Sequence, residues 1–297
     1  MKLPHVALAV LVAGMWGLAF VATRMALDDF SPPQLAAARF LVACAPALLL
    51  PRPRIPWALL IATGLTLFAA QFLLQFFGIA LGMPPGLASV VMHTQAFYTI
   101  AFAALVLREW PTGRQLAGAV VAAGGVVAIG LTVGQDLTVI GLVLTSLSAM
   151  SWGVGNILLK RLPPVPILNL VVWLSLVPPL PALAVALALD GPLAIGDAIA
   201  GASWRGVASV LYLGVIGNIV AYAIWGALLR QYPAATVTPF ALLVPFVASY
   251  ASSIAFDERF GALRLGGMAL VLLGLAIIVV PLGRVARGVP AASRSPS

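Results

Sequence analysis

A chain of 297 residues with 62% hydrophobic and only 8% charged side chains is not a soluble domain, where roughly 45–50% of residues are apolar and about 25% charged; it reads as a membrane protein. Its net charge of +8 would suggest nucleic acid in a soluble chain. Here the bases fall in short segments between apolar runs, which is how membrane orientation is encoded, so the lipid bilayer replaces nucleic acid as the expected partner.

The first apolar run, 6–23 after Lys2, is longer than the ~7–15-residue core of a secretory signal, and it recurs mid-chain; both features mark a retained span. No acid, Lys or Arg occurs between Arg54 and Arg108, nor between Arg205 and Arg230. A bilayer-crossing helix needs about 20 apolar residues, so the first run holds two spans and the second one. Division at charge clusters and Pro/Gly turns predicts ten spans, at about 5–23, 33–50, 56–81, 85–107, 112–132, 138–159, 166–189, 205–229, 233–256 and 263–282. Connections are short, as in GMPPG at 82–86, and only the Pro, Ser and Arg tail from Arg284 (284–297) reads as disordered. With the N-terminus inside, Arg24, Arg39, Arg205, Arg259 and Arg264 face outward and the remaining eleven of the sixteen bases lie inside. Both termini are therefore expected in the cytoplasm. The lone Cys44 has no partner for an internal disulfide and is expected to act as a small buried hydrophobe.

The chain repeats itself. MWGLAFVATR (15–24) resembles SWGVGNILLK (151–160) at an offset of 136, aligning Trp16 with Trp152, Gly17 with Gly153 and Arg24 with Lys160. Glu109 matches Glu258, Gly118 matches Gly267 and Gly125 matches Gly274 at an offset of 149, with Arg114 one step from the register of Arg264. Five is odd, so two halves of five spans run antiparallel: an inverted repeat, which places a substrate site near the midplane between the halves.

The Trp-Gly of the first span in each half, the Glu that closes the fourth (LREW at 107–110, FDERF at 256–260) and the Gly-rich fifth resemble the EamA module of the drug/metabolite transporter superfamily. Within it the chain is most similar to YddG-type exporters of aromatic and other amino acids. The resemblance covers residues 5–282, with one repeat at 5–132 and the other at 138–282. It implies an all-α polytopic membrane protein of ten transmembrane helices around a central cavity lined by spans one, three, four, six, eight and nine, with five and ten peripheral. The family's fourth-span proline is present as Pro245, but its counterpart in the first half is Ala96.

Polar side chains inside a bilayer face protein or water, so they nominate the cavity wall. At about 100° per residue, span four puts Thr94 and Tyr98 at the centre of the protein-facing arc, His93 and Gln95 on its flanks, and Met92, Ala96, Thr99 and Ala103 outward. Gln71 and Gln75 in span three, Trp152 and Asn156 in span six after Ser148, and Asn218, Tyr222 and Trp225 in span eight form stripes at helical spacing; Trp16 pairs with Trp152. For each of these the alternative is a helix cross-link or an interfacial aromatic, and His93 could also sense a proton. Arg24 and Lys160 are expected to snorkel. Arg39 lies deeper and could attract a carboxylate, though a bond to a neighbouring helix end is favoured. Glu109 and Glu258 are expected to pair with Arg108 and Arg259. Gly17, Gly153, Pro239 and Pro245 are expected to let helices bend.

No span carries an acid near its middle, which disfavours binding of cationic drugs, and no deep pair of cations marks a phosphate site. There is no His-Glu-x-x-His or Gly-x-Ser-x-Gly motif, and the only other histidine is His5. No enzyme, metal or cofactor is therefore expected. The expectation is a multi-pass exporter of amino acids and similar small amphiphilic metabolites in the bacterial inner membrane, working by alternating access without ion coupling. Its alternative is an exporter of uncharged drugs or other metabolites, with proton coupling through His93 left open.

Overall fold

The computed structural model describes residues 1–134 and 136–280; the predicted tail at 284–297, with Arg284, Arg287 and Arg294, lies outside the described residues. Helix is the one regular secondary structure among the described residues, and nine of their helices are long and apolar enough to cross a membrane: α1 (Leu3–Ala26), α3 (Trp57–Ala80), α4 (Pro85–Leu107), α5 (Gly113–Gly130), α6 (Val139–Leu159), α7 (Ile167–Leu189), α9 (Trp204–Gln231), α10 (Ala234–Phe256) and α11 (Ala262–Val279). Two shorter helices complete the order. The second predicted span is a 13-residue helix, α2 (Pro32–Cys44), continued by a 3₁₀ turn at Ala45–Leu48 that contains Pro46, a residue that cannot extend the α-helical ladder. A short helix, α8 (Gly191–Gly201), fills what the sequence reads as a plain connection.

Local chemistry sets the boundaries. Ser31 with Gln34 and Thr112 with Gln115 form reciprocal capping boxes at the starts of α2 and α5, and Thr138 and Ser203 cap α6 and α9, each satisfying N–H groups that the first helical turn leaves free. α4 and α10 both stop in the left-handed region, at Arg108 (φ 57°) and Asp257 (φ 52°) respectively. These two residues stand at the 149 offset.

Several helices depart from α-geometry. α3 is π-helical over Leu65–Ala70 and α9 over Tyr212–Val220; α10 passes through a 3₁₀ segment at Thr238–Leu242 before Pro245. α4 breaks at the matching place without a proline. The His93 and Thr94 amides bond the Val90 and Val91 carbonyls three residues back, which leaves the Ser89 carbonyl without its helical donor. The His93 ring Nδ1–H takes that carbonyl at 2.7 Å, and the Thr94 hydroxyl donates to the Val91 carbonyl at 2.6 Å.

Gly17 and Gly153 do not bend their helices, which run unbroken. They admit neighbours instead: a Cβ at Gly17 would lie 2.7 Å from the Val247 side chain of α10, and one at Gly153 would lie 2.8 Å from Tyr98 of α4. α5 and α11 pack mainly on each other, outside the ring of α1, α3, α4, α6, α9 and α10. They touch through backbone. A Cβ at Gly118 would lie 2.6 Å from the Gly274 carbonyl oxygen, and one at Gly125 would lie 2.6 Å from that of Gly267, so the two helices are antiparallel there. Each also sends an arginine to the far end of the other: Arg114 bonds the Ile277 and Val280 carbonyls, and the buried Arg264 bonds Thr132 and both Asp136 carboxylate oxygens.

Candidate functional site

Where the two halves meet, a cavity of about 200 Å³ is lined by α1, α2, α3, α4, α6, α9 and α10. α1 gives Trp16, Ala19, Phe20 and Thr23; α3 gives Phe72 and Gln75; α4 gives Met92, His93 and Gln95; α6 gives Trp152; α9 gives Gly217, Asn218 and Tyr222; α10 gives Ala241 and Val244; and α2 gives Arg39. Its volume falls below the ~300–1,000 Å³ of drug-sized sites, yet it is several times the ~30 Å³ share of one liquid water. None of the chain's eight acids lines it.

The wall is held by cross-helix bonds. The Trp16 indole N–H donates to the Gly217 carbonyl at 3.1 Å, and its ring leans on Tyr222 and Trp225 with centroids 5.3 and 5.1 Å apart. Asn218 donates to Ser175 at 3.0 Å. Asn156 donates to the Gln95 carbonyl oxygen and to the Thr99 hydroxyl, both at 2.9 Å, and so orients Gln95 from behind. Gln71 donates to Gln75 at 2.7 Å, while the Ser148 hydroxyl donates to the Gln71 backbone carbonyl at 2.6 Å.

Seven of the twelve residues nominated from sequence therefore stand in the wall: Trp16, Gln75, His93, Gln95, Trp152, Asn218 and Tyr222. Five do not. Gln71 is fully buried behind Gln75, Asn156 stands behind Gln95, Trp225 packs on Trp16, Tyr98 lies over Gly153, and the Thr94 hydroxyl is spent on its own helix. The reversal on α4 has a plain cause. Counting 100° per residue presumes a continuous helix, and the break at His93 and Thr94 resets the phase, bringing in Met92, which was expected to face outward, and giving Thr99 a partner. Of the wall residues, Phe72 was not nominated from sequence, and Arg39 was marked only as a deep cation that could attract a carboxylate, a bond to a neighbouring helix end being favoured. A cation deep in an apolar span was a visible signal; a phenylalanine among phenylalanines gives none.

The nominated glutamates do not pair with their neighbouring arginines. Glu109 pairs with Lys160, and Arg259 pairs with Asp257. Glu258 accepts the Gly86 N–H at 3.2 Å, at the start of α4. Burial pushes the Glu258 carboxyl above its usual value, whereas hydrogen bonds from Arg264 hold that of Asp136 below it. Arg24 pairs with Asp28 one turn on.

The sequence matches the EamA-like transporter family at residues 3–131 and again at 139–280. The chain belongs to that family. This transporter is similar, at 38% identity over 281 residues, to a protein of Escherichia coli (strain K12) named probable amino-acid metabolite efflux pump, covering 92% of this chain and 93% of that one. A protein of the same name from Salmonella typhimurium is also 38% identical, over 279 residues, with the same coverage of both chains. A protein of Streptantibioticus cattleyicolor named probable terminal-alkyne amino-acid exporter is 29% identical over 283 residues, 91% of each chain. A solved structure with 18% identity superposes at a TM-score of 0.61 over 93% of this transporter and 96% of that chain, a likeness of fold. The transporter is thus a multi-pass, non-enzymatic membrane protein.

Proposed function

We propose that this EamA-family transporter exports amino acids and similar small amphiphilic metabolites across the bacterial inner membrane, by alternating access and without ion coupling. One observation carries the reading: the cavity between the halves is small and acid-free, and combines aromatic faces with amide groups, a chemistry suited to a zwitterion with an apolar part. The names of the similar proteins from Escherichia coli and Streptantibioticus cattleyicolor point the same way. We read the fold as ten spans, α2 with its 3₁₀ turn being the short second one, arranged as inverted repeats over 5–132 and 138–282 with both termini cytoplasmic. The paired glycines and reciprocal arginines of α5 and α11 support that inversion. Trp16, Gln75, His93, Gln95, Trp152, Asn218 and Tyr222 are the proposed cargo contacts. Uptake of each of the twenty labelled amino acids into proteoliposomes of the purified protein tests the proposal. Saturable uptake of a subset is expected; flat uptake for every one rejects amino-acid transport.

A further inference from the structure

Among the described residues, Arg39 is the one Lys or Arg in the cavity wall, and its situation is unusual. Its side chain is held on α2 with the residue only 4% exposed, and its Nε–H has no partner. Its single protein hydrogen bond is a long one, 3.5 Å from Nη2 to the Leu213 carbonyl in the π-helical stretch of α9. It makes no ion pair among the described residues, although Arg24, Lys160, Arg259 and Arg264 all do.

What surrounds the guanidinium is aromatic. Its carbon lies 4.1 Å from the centroid of Phe72, 5.0 Å from that of Phe40 and 5.8 Å from that of Phe76. Ring faces stabilise a desolvated cation, and they hold the planar group in place, but they do not occupy its in-plane N–H donors. A guanidinium stays protonated under all ordinary conditions, so burial cannot be relieved by losing the proton. Burying an unpaired charge is strongly unfavourable. A purely structural arginine would be expected to fill its donors with carbonyls or a carboxylate, as Arg264 does with Thr132 and Asp136.

We infer that Arg39 is the carboxylate anchor of the cargo site. Arg39 lines a cavity without acids, where an incoming carboxylate would find charge-assisted hydrogen bonds at a fixed angle, while the apolar part of the cargo lies against Phe72, Trp152 and Tyr222. One cation suits one carboxylate, so monocarboxylates and zwitterions enter and amines, which the positive charge repels, do not. The assignment rests on the transport reading above and narrows it from amphiphiles in general to carboxylates.

The test uses Trp16 and Trp152, both in the wall, as fluorescent reporters in the purified full-length protein. It compares three probe pairs: L-phenylalanine with L-phenylalaninamide, L-serine with L-serinamide, and 3-phenylpropionate with 3-phenylpropionamide. At least one carboxylate is expected to bind the wild type ten or more times as tightly as its amide. Arg39→Gln should reduce that preference to within about twofold, and Arg39→Lys, which keeps the charge, should retain part of it and serve as the folding control. Equal response to acid and amide in every pair, no response to any probe, or an undiminished preference in Arg39→Gln would overturn the assignment. A preference seen only for 3-phenylpropionate, with no amino-acid uptake into proteoliposomes, would reject the amino-acid reading and leave Arg39 as the anchor. Amino-acid uptake with no preference over the amides would do the reverse.

Discussion

At the level of single side chains, the run His93, Thr94 and Gln95 shows how α4 breaks without a proline. In the second half Pro245 withholds an N–H, and the ladder opens there by covalent necessity. In the first half two side chains supply what the opened ladder lacks: the His93 ring bonds the Ser89 carbonyl and the Thr94 hydroxyl bonds the Val91 carbonyl. His93 is thereby tied by one nitrogen to the backbone, with that nitrogen protonated, because a carbonyl only accepts. His93→Ala should cost about 0.5–1.5 kcal/mol, the usual net worth of one such bond, measured by thermal unfolding in detergent. Its transport should respond to an imposed pH gradient as the wild type does; loss of a gradient response only in the variant would instead make His93 a proton carrier. The sequence disclosed that these three residues belong to the protein interior, because polarity inside a bilayer is visible by composition. It did not disclose which of them reach the cavity. That depends on helical phase, and the phase is reset by the very residues whose direction was sought.

Among the helices, the α5 and α11 pair depends least on side chains. Two apolar surfaces in lipid gain little from touching, since the tails are as oily as leucine, so close backbone approach through small residues supplies the contact. A Cβ at Gly274 would run into the Gly118 carbonyl oxygen, with backbone rather than a flexible tip in the way. Gly274→Val should therefore force the helices apart at about 1–3 kcal/mol, seen as a lower melting temperature, whereas Gly124→Val, on a glycine with nothing nearby, should melt close to the wild type. The long spans were legible from hydropathy alone, and the glycines of this pair from their shared offset. α8 was not, because eleven residues in a connection carry no span-length signal; nor was the 3₁₀ ending of α2, where Pro46 only marks that the α-ladder cannot continue.

For the molecule as a unit, the two ends differ. Glu109 and Glu258 stand at one offset, yet one holds the Lys160 ammonium and the other the amide at the start of α4. Because burial raises the Glu258 carboxyl, the folded protein keeps that proton to higher pH than the unfolded chain. The stability it contributes is present below the ordinary glutamate value of 4.5 and is lost as pH rises through the window above it. Asp136 works the other way: its stabilisation is present above the ordinary aspartate value of 3.8 and lost as pH falls below it. The melting temperature of Glu258→Gln should accordingly gain on the wild type as pH climbs from about 4.5 towards neutrality; a constant difference across that range would show that this carboxyl does not titrate in it.

The seam between α5 and α11 also bears on how the two copies could change over time. Elsewhere the two copies differ, as Ala96 at the position matching Pro245 shows. Where Gly118 meets Gly274 and Gly125 meets Gly267, each copy supplies half of one surface, so a bulkier residue in either is a collision for both. A backbone contact offers no compensating side chain on the other side, and selection there acts on the pair as if it were a single locus.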